Sequence, residues 1–222
     1  MKEYATDFSF RARYYVLGDV QAAHTRAVWF VLHGYGQLAQ YFIKKFDGLT
    51  RHGIVVVAPE GLSRFYLEDV ATRSRGGSQR VGATWMTREN RLMDIENYLS
   101  YLTAVHREVA DGLALPTTVL GFSQGAATAA RWAVSGQIEF ERLIVWAGLV
   151  PEDMDFDEGQ RILKREEMIH VYGSDDPFIT DERFAHMKTL AQRLHPSPRL
   201  VSFAGAHDID ADTLERLARE GA

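Results

Sequence analysis

"VLGFSQGAATAA", residues 119–130, sets one serine, Ser123, between Gly121 and Gly125. Residues 117–120 lead in as a strand-like run, and a stretch of small helix formers leads out. A glycine two before and two after the serine lets the chain turn sharply from strand to helix, which presents the side chain at the sheet edge. Chance supplies only ~0.06 such matches in a chain of this composition, before either flank is demanded. The competing reading is a serine that merely caps a helix, a position it suits well.

The flanks of this stretch repeat along the chain. Val28-Trp29-Phe30-Val31-Leu32 is an apolar run of strand length, and Ile54-Val55-Val56-Val57-Ala58 is another, stopped by Pro59. Further strands are predicted at 142–146, 168–172 and 199–203. Phe8, Phe10, Tyr14 and Val16 sit at even spacing and predict a strand near the N-terminus. Between 87 and 109, Leu92, Ile95, Leu99, Leu102 and Val105 recur at three and four, the period of an amphipathic helix, closed at Gly112. Residues 38–49, 124–134 and 181–194 also read as helices, as does a last segment from about Asp208. Short continuous apolar strands alternating with helices indicate a mostly parallel sheet covered on both faces. The fold class is therefore α/β, and in such sheets the active site lies beyond the carboxyl ends of the strands.

Composition narrows the function. The 222 residues carry 25 basic and 30 acidic side chains, a net charge of −5, which is no footprint for a nucleic acid. There is no cysteine, so disulfides, thiolate metal sites and cysteine nucleophiles are all excluded. The longest apolar stretches, 27–32 and 143–150, are too short to span a bilayer, and the first residues lack the basic head of a signal peptide. A cytoplasmic protein is the expectation. No repeat or proline- and serine-rich linker divides the chain, so one domain over 1–222 is expected. Oligomeric state is not readable from the sequence.

A serine hydroxyl needs a base to take its proton, a third group to orient that base, and N–H donors for the oxyanion that forms. "VYGSDDPFI" ends a strand at Tyr172 and offers Asp175 and Asp176 in the following loop. Pro177 biases the residue before it toward extended geometry, which favours Asp176 over Asp175. "SFAGAHDID" supplies His207 just past a strand, among small residues. The other histidines lie within helices, at helix ends or away from strand ends, and His170 lies inside a strand. A metal reading of His207, Asp208 and Asp210 is weaker, since Asp208 is more simply the cap of the last helix. The oxyanion donors fall to the N–H of Gln124, next after the serine, and that of Tyr35 in the loop "HGYG". His33 reads as a buried, hydrogen-bonded loop residue.

Together, "LHGYG" at 32–36, "APEG" at 58–61, "GFSQGA" at 121–126, "AGLVP" at 147–151, "GSDDP" at 173–177 and "AHD" at 206–208 carry a resemblance. The chain resembles the phospholipase/carboxylesterase branch of the α/β-hydrolases, which includes the acyl-protein thioesterases. The resemblance runs from about Val28 to the last helix and implies an α/β-hydrolase fold. It further implies a cofactor-free hydrolase of small-molecule carboxylic esters or thioesters with Ser123, Asp176 and His207 as its triad. Lipase, peptidase and lactone-hydrolase chemistry use the same triad, and a non-catalytic binding protein on this scaffold is the alternative of another class. The chain departs from the pattern at Tyr172, where the family often has histidine, and at Ala126, where it often has glycine.

Residues 62–84 match the pattern poorly and are expected to lie over the site as a lid or acyl-pocket wall. This segment carries Arg64, Arg73, Arg75 and Arg80 against Glu68 and Asp69, with Arg88 and Arg91 just beyond. One reading is a solvated loop with scattered charge. The other is that one or two of these arginines hold an anionic end of the substrate. Phe65, Tyr66, Trp85, Met86, Leu149 and Phe178 are candidates for apolar lining and equally for core.

Overall fold

Seven strands form the central sheet: β1 (Tyr14–Leu17), β2 (Ala27–Leu32), β3 (Ile54–Pro59), β6 (Thr117–Phe122), β7 (Arg142–Trp146), β8 (Glu167–Gly173) and β9 (Arg199–Phe203). Their spatial order is β1-β3-β2-β6-β7-β8-β9. Only β1 runs antiparallel to its neighbour; the other pairings are parallel. Between β3 and β6 the chain forms a separate two-stranded hairpin, β4 (Ser63–Tyr66) with β5 (Val81–Thr84). The computed structural model describes residues 1–221.

Strands β2, β3, β6 and β7 are buried along their whole length, because each has a helical layer on both faces. One face packs Val28, Phe30, Val119 and Val145 against the long helix α3 (Arg91–Ala110), α4 (Gln124–Ala133), α5 (Phe156–Ile162) and α6 (Asp181–Leu194). The other packs Trp29, Val56, Leu120 and Ile144 against α1 (Ala39–Phe42), the turn that continues it, and α7 (Ala211–Glu220). A remaining short helix, α2 (Val70–Ser74), sits between β4 and β5 with its N-terminus capped by Asp69.

Several elements depart from the periodicity reading, each for a physical reason. The predicted N-terminal strand shrinks to Tyr14–Leu17, leaving Phe8 and Phe10 exposed, edge to face with each other. The helix expected over 38–49 is α-helical only for Ala39–Phe42 and continues as a 3₁₀ helix over Ile43–His52. Its buried residues Ile43, Phe46 and Leu49 recur at three, which stacks them on one face of a three-residue turn. Gly53 then ends it with a left-handed φ of 71°. Helix α3 begins at Arg91 rather than near Thr87, after Asn90 takes a left-handed φ of 45°. The cap of α7 is Asp210, which accepts from Thr213 N–H, whereas Asp208 is paired with Lys45.

Helix α4 lies unusually close to the sheet. A Cβ on Gly121 would collide with the backbone of Gly125, and one on Gly125 with the carbonyls of Leu32 and His33. Ala126, Ala129, Ala130 and Ala133 are buried on the same helix, so small side chains sustain that approach along its length. Gly125→Ala is therefore expected to destabilise by about 2–4 kcal/mol, as overpacking against backbone cannot relax by a rotamer change. Thermal unfolding followed by circular dichroism checks this; an unchanged Tm contradicts the packing account.

Candidate active site

Five loops meet at the carboxyl edge of the parallel strands: those after β2, β6, β7, β8 and β9. The segments after β6, β7, β8 and β9 build a cavity of about 300 Å³ lined by Ser123, Gln124, Ala127, Ala147, Gly148, Leu149, Phe178, Ile179, Arg183 and His207.

Ser123 is the hinge between β6 and α4. Its backbone holds φ 54° and ψ −115°, a region costly for any residue with a Cβ. The strain is fixed on both sides, since Ser123 N–H donates to Trp146 O at 2.9 Å and Ser123 O accepts from Ala126 N–H at 3.1 Å. Its side chain makes no capping bond to α4, so the helix-cap reading of this serine does not hold. Among the described residues its hydroxyl has no hydrogen-bond partner; it shares the cavity wall with His207 without bonding to it. A serine–histidine bond is often long before substrate binds.

His207 is oriented from three sides. Its Nδ1 lies 2.7 Å from Asp176 Oδ2, and its ring packs between Phe122 and Phe178, each with centroids 4.9 Å away. A carboxylate accepts, so Nδ1 carries the proton and the lone pair of Nε2 remains available. The Asp176 side chain is 0% exposed, and its other oxygen accepts from Phe178 N–H at 2.8 Å. Asp175, its neighbour, is exposed. The sequence preference for Asp176 thus matches the residue that bonds the imidazole.

Tyr35 and Gln124 flank the serine by different means. The loop after β2 presses on Ser123: a Cβ on Gly34 would lie 3.2 Å from Ser123 Cβ. Among the described residues, the N–H groups of Tyr35 and Gln124 have no hydrogen-bond partner, whereas Gly34, Gly36 and Gln37 N–H all do. The Gln124 side chain is tied down, with Nε2 donating to Met86 O at 2.9 Å and Oε1 accepting from Trp85 N–H at 3.2 Å. The glutamine of "GFSQG" therefore fastens the end of β5 to the start of α4.

His33 holds the same corner together. Gly61 N–H donates to its Nε2 at 2.9 Å, Nδ1 donates to Gly34 O at 2.8 Å, and Trp85 donates its indole N–H to His33 O. Burial pushes its pKa below the usual imidazole value, and both ring nitrogens are occupied. On the opposite side, His170 is fully buried in β8 and donates from Nε2 to Gly148 O at 2.8 Å. It fixes the Ala147–Gly148 turn, where Ala147 takes φ 49°. Burial lowers the His170 pKa to about 4.

The 62–84 segment is the β4–β5 hairpin with α2 at its tip. It is pinned to the loop after β2 by Gly36 N–H to Ala83 O at 2.9 Å and by Ala83 N–H to Gln37 O at 3.0 Å. Phe65 stacks on Tyr35, but no residue of the hairpin lines the cavity beside Ser123. Of the apolar candidates only Leu149 and Phe178 line it, while Trp85 is core. That part of the wall comes instead from Ala147, Gly148 and Leu149 and from Phe178, Ile179 and Arg183. The arginines named in the sequence are largely engaged elsewhere. Arg64 faces Glu60, Arg80 pairs with Glu68, Arg73 lies over the Tyr66 ring, and Arg91 pairs with Asp153. The cavity arginine is Arg183, which no spacing singled out; its only signal is a place in the first turn of the helix after the Asp176 loop.

Two expectations follow. Ser123→Gly should remove the backbone strain and raise stability by about 1 kcal/mol, a gain of roughly 2–4 °C in Tm read by calorimetry. His170 is neutral when folded down to about pH 4, but its unfolded form protonates near pH 6.5. Its contribution is fully present above pH 6.5 and is lost as pH falls through that window. Urea unfolding of the native protein should therefore lose stability from pH 6.5 to 4 more steeply than that of His170→Asn. Parallel slopes would contradict it.

A family model for serine hydrolase (FSH1) matches residues 25–215. No curated protein matches the sequence. Among solved structures, acyl-protein thioesterase 2 of Zea mays superposes with a TM-score of 0.66 at 14% identity, over 95% of this chain and 97% of that one. A carboxylesterase from Mesorhizobium loti gives 0.68 at 16% identity over 95% of each chain. A phospholipase/carboxylesterase from Dyadobacter fermentans gives 0.61 at 15% identity, over 96% and 97%. At such identities the likeness is one of fold, here that of the α/β-hydrolases. No helix among the described residues is long and apolar enough to cross a membrane. With the family model spanning most of its length, the chain belongs to the serine hydrolase (FSH1) family.

Proposed function

We propose that this hydrolase cleaves carboxylic esters or thioesters of small molecules through an acyl-enzyme formed on Ser123. The single observation that carries the reading is the bond from His207 Nδ1 to buried Asp176, which leaves Nε2 as the acceptor in a cavity that Ser123 also lines. In this reading the Ser123 oxygen attacks the carbonyl carbon while its proton passes to His207 Nε2. Asp176 keeps the imidazole in one tautomer and stabilises its charged form. The tetrahedral oxyanion takes the unpartnered N–H groups of Tyr35 and Gln124. Collapse breaks the bond to the leaving group, which takes the proton from His207 as it departs. Water, deprotonated by His207, then attacks the acyl carbon, and Ser123 leaves reprotonated.

The chain is read as one domain in which the 62–84 hairpin buttresses the Tyr35 side of the site. Phe65 against Tyr35 and the two backbone bonds around Ala83 support that role.

The test is hydrolysis of a p-nitrophenyl ester series, acetate through palmitate, by the native protein, Ser123→Ala and Asp176→Asn. Ser123→Ala is expected to lower kcat by 10³-fold or more, and Asp176→Asn by about 10³–10⁴-fold through loss of the tautomer. A fluorophosphonate should label the native protein and not Ser123→Ala. Equal turnover and equal labelling of native protein and Ser123→Ala would overturn the reading.

A further inference from the structure

Arg183 stands out among the groups around the cavity. It extends from the first turn of α6 to the cavity wall, and among the described residues its side chain has no ion pair or hydrogen bond; only its backbone N–H is engaged, by the Thr180 cap. Nearby arginines differ. Arg131 and Arg91 share Asp153, each at 2.7 Å. In the hairpin Arg64 and Arg80 are paired and Arg73 is stacked, while Arg75 lies away from the cavity. No aspartate or glutamate lines the cavity, since Asp176 is buried behind His207. One unneutralised guanidinium therefore faces a small cavity whose remaining lining, apart from Ser123, Gln124 and His207, is apolar, in a protein of net charge −5. A guanidinium presents a planar fork of donors matched to a carboxylate, which a neutral acyl chain leaves unused.

Size sets the other half of the argument. At about 300 Å³ the cavity is at the small end for ligand sites, which suits a half-substrate a few carbons long. Resting on the hydrolase reading above, we propose that the preferred substrates are short esters or thioesters that bear a free carboxylate, bound through Arg183. The anionic recognition that the sequence suggested for the 62–84 arginines is thereby assigned to a different element. Arg183 is exposed, so the interaction is screened and its effect is moderate.

Two matched pairs test this and tell which half of the ester carries the charge: monomethyl glutarate against methyl butyrate, and 4-acetoxybutanoate against butyl acetate. For at least one pair, the native protein should favour the anionic ester in kcat/KM. In Arg183→Gln the anionic-to-neutral ratio should fall about 5- to 20-fold, with Arg183→Lys between the two. Raising NaCl from 50 to 500 mM should shrink the native preference. An unchanged ratio in both pairs overturns the proposal, even if both esters are hydrolysed. A second readout needs no turnover: calorimetric titration with glutarate, which should bind Arg183→Gln at least about fivefold more weakly than the native protein. Equal binding to the two proteins, or none to either at tens of millimolar, overturns it. Loss of hydrolysis with retained Arg183-dependent glutarate binding would instead fail the hydrolase reading and leave the carboxylate site standing.

Discussion

The contact on which the site depends is the close approach of α4 to β6 and β2, made at two glycines. Gly121 lies near the end of β6 and Gly125 in the first turn of α4. The backbone of Gly125 fills the space a Cβ on Gly121 would need, and the carbonyls of Leu32 and His33 fill the space a Cβ on Gly125 would need. Because the helix starts this close, Ser123 has to turn through a φ of 54°, with its side chain lifted out of both elements. The same approach brings the N–H at the start of α4 beside the loop after β2. Strain at one residue and close packing at two others are thus a single geometric fact.

Around that corner the protein uses rigid groups. His33 joins the loops after β2 and β3 through both ring nitrogens, and Gln124 joins α4 to the end of the hairpin. His207 is held by a buried carboxylate and two aromatic rings, and His170 holds the opposite wall through Gly148 O. Three of these four groups are histidine rings, each fixed in one tautomer by its partners. Only His207 has a nitrogen directed toward the cavity rather than into packing or backbone.

Much of this was legible in the residues themselves. Glycines at fixed offsets around Ser123, a proline after Asp176 and a histidine just past β9 are local features, and local features survive folding. The long amphipathic helix and the β-branched runs were legible for the same reason: their periods match the element they form. Other features were not. Phe8 and Phe10 alternate correctly but find no strand to pair with, since β1 already occupies the sheet edge beside β3. Ile43, Phe46 and Leu49 suit an α-helix almost as well as the 3₁₀ helix they form. The strands of the β4–β5 hairpin are only four residues each, too short to show a period of their own.

Sequence by itself determined the fold class, the order of the elements and the identity of the residues that gather at the strand ends, because chain order and turn chemistry leave few ways to arrange them. The tertiary structure alone decided which side chains line the cavity. Arg183 reaches it from a helix whose predicted pattern gave it no distinction, and Arg64, Arg80 and Arg73 of the 62–84 segment are held away by Glu60, Glu68 and Tyr66. Pairing between charges distant in sequence depends on where the elements dock, and docking is set by burial of apolar faces, which carries no information about the charges they leave outside.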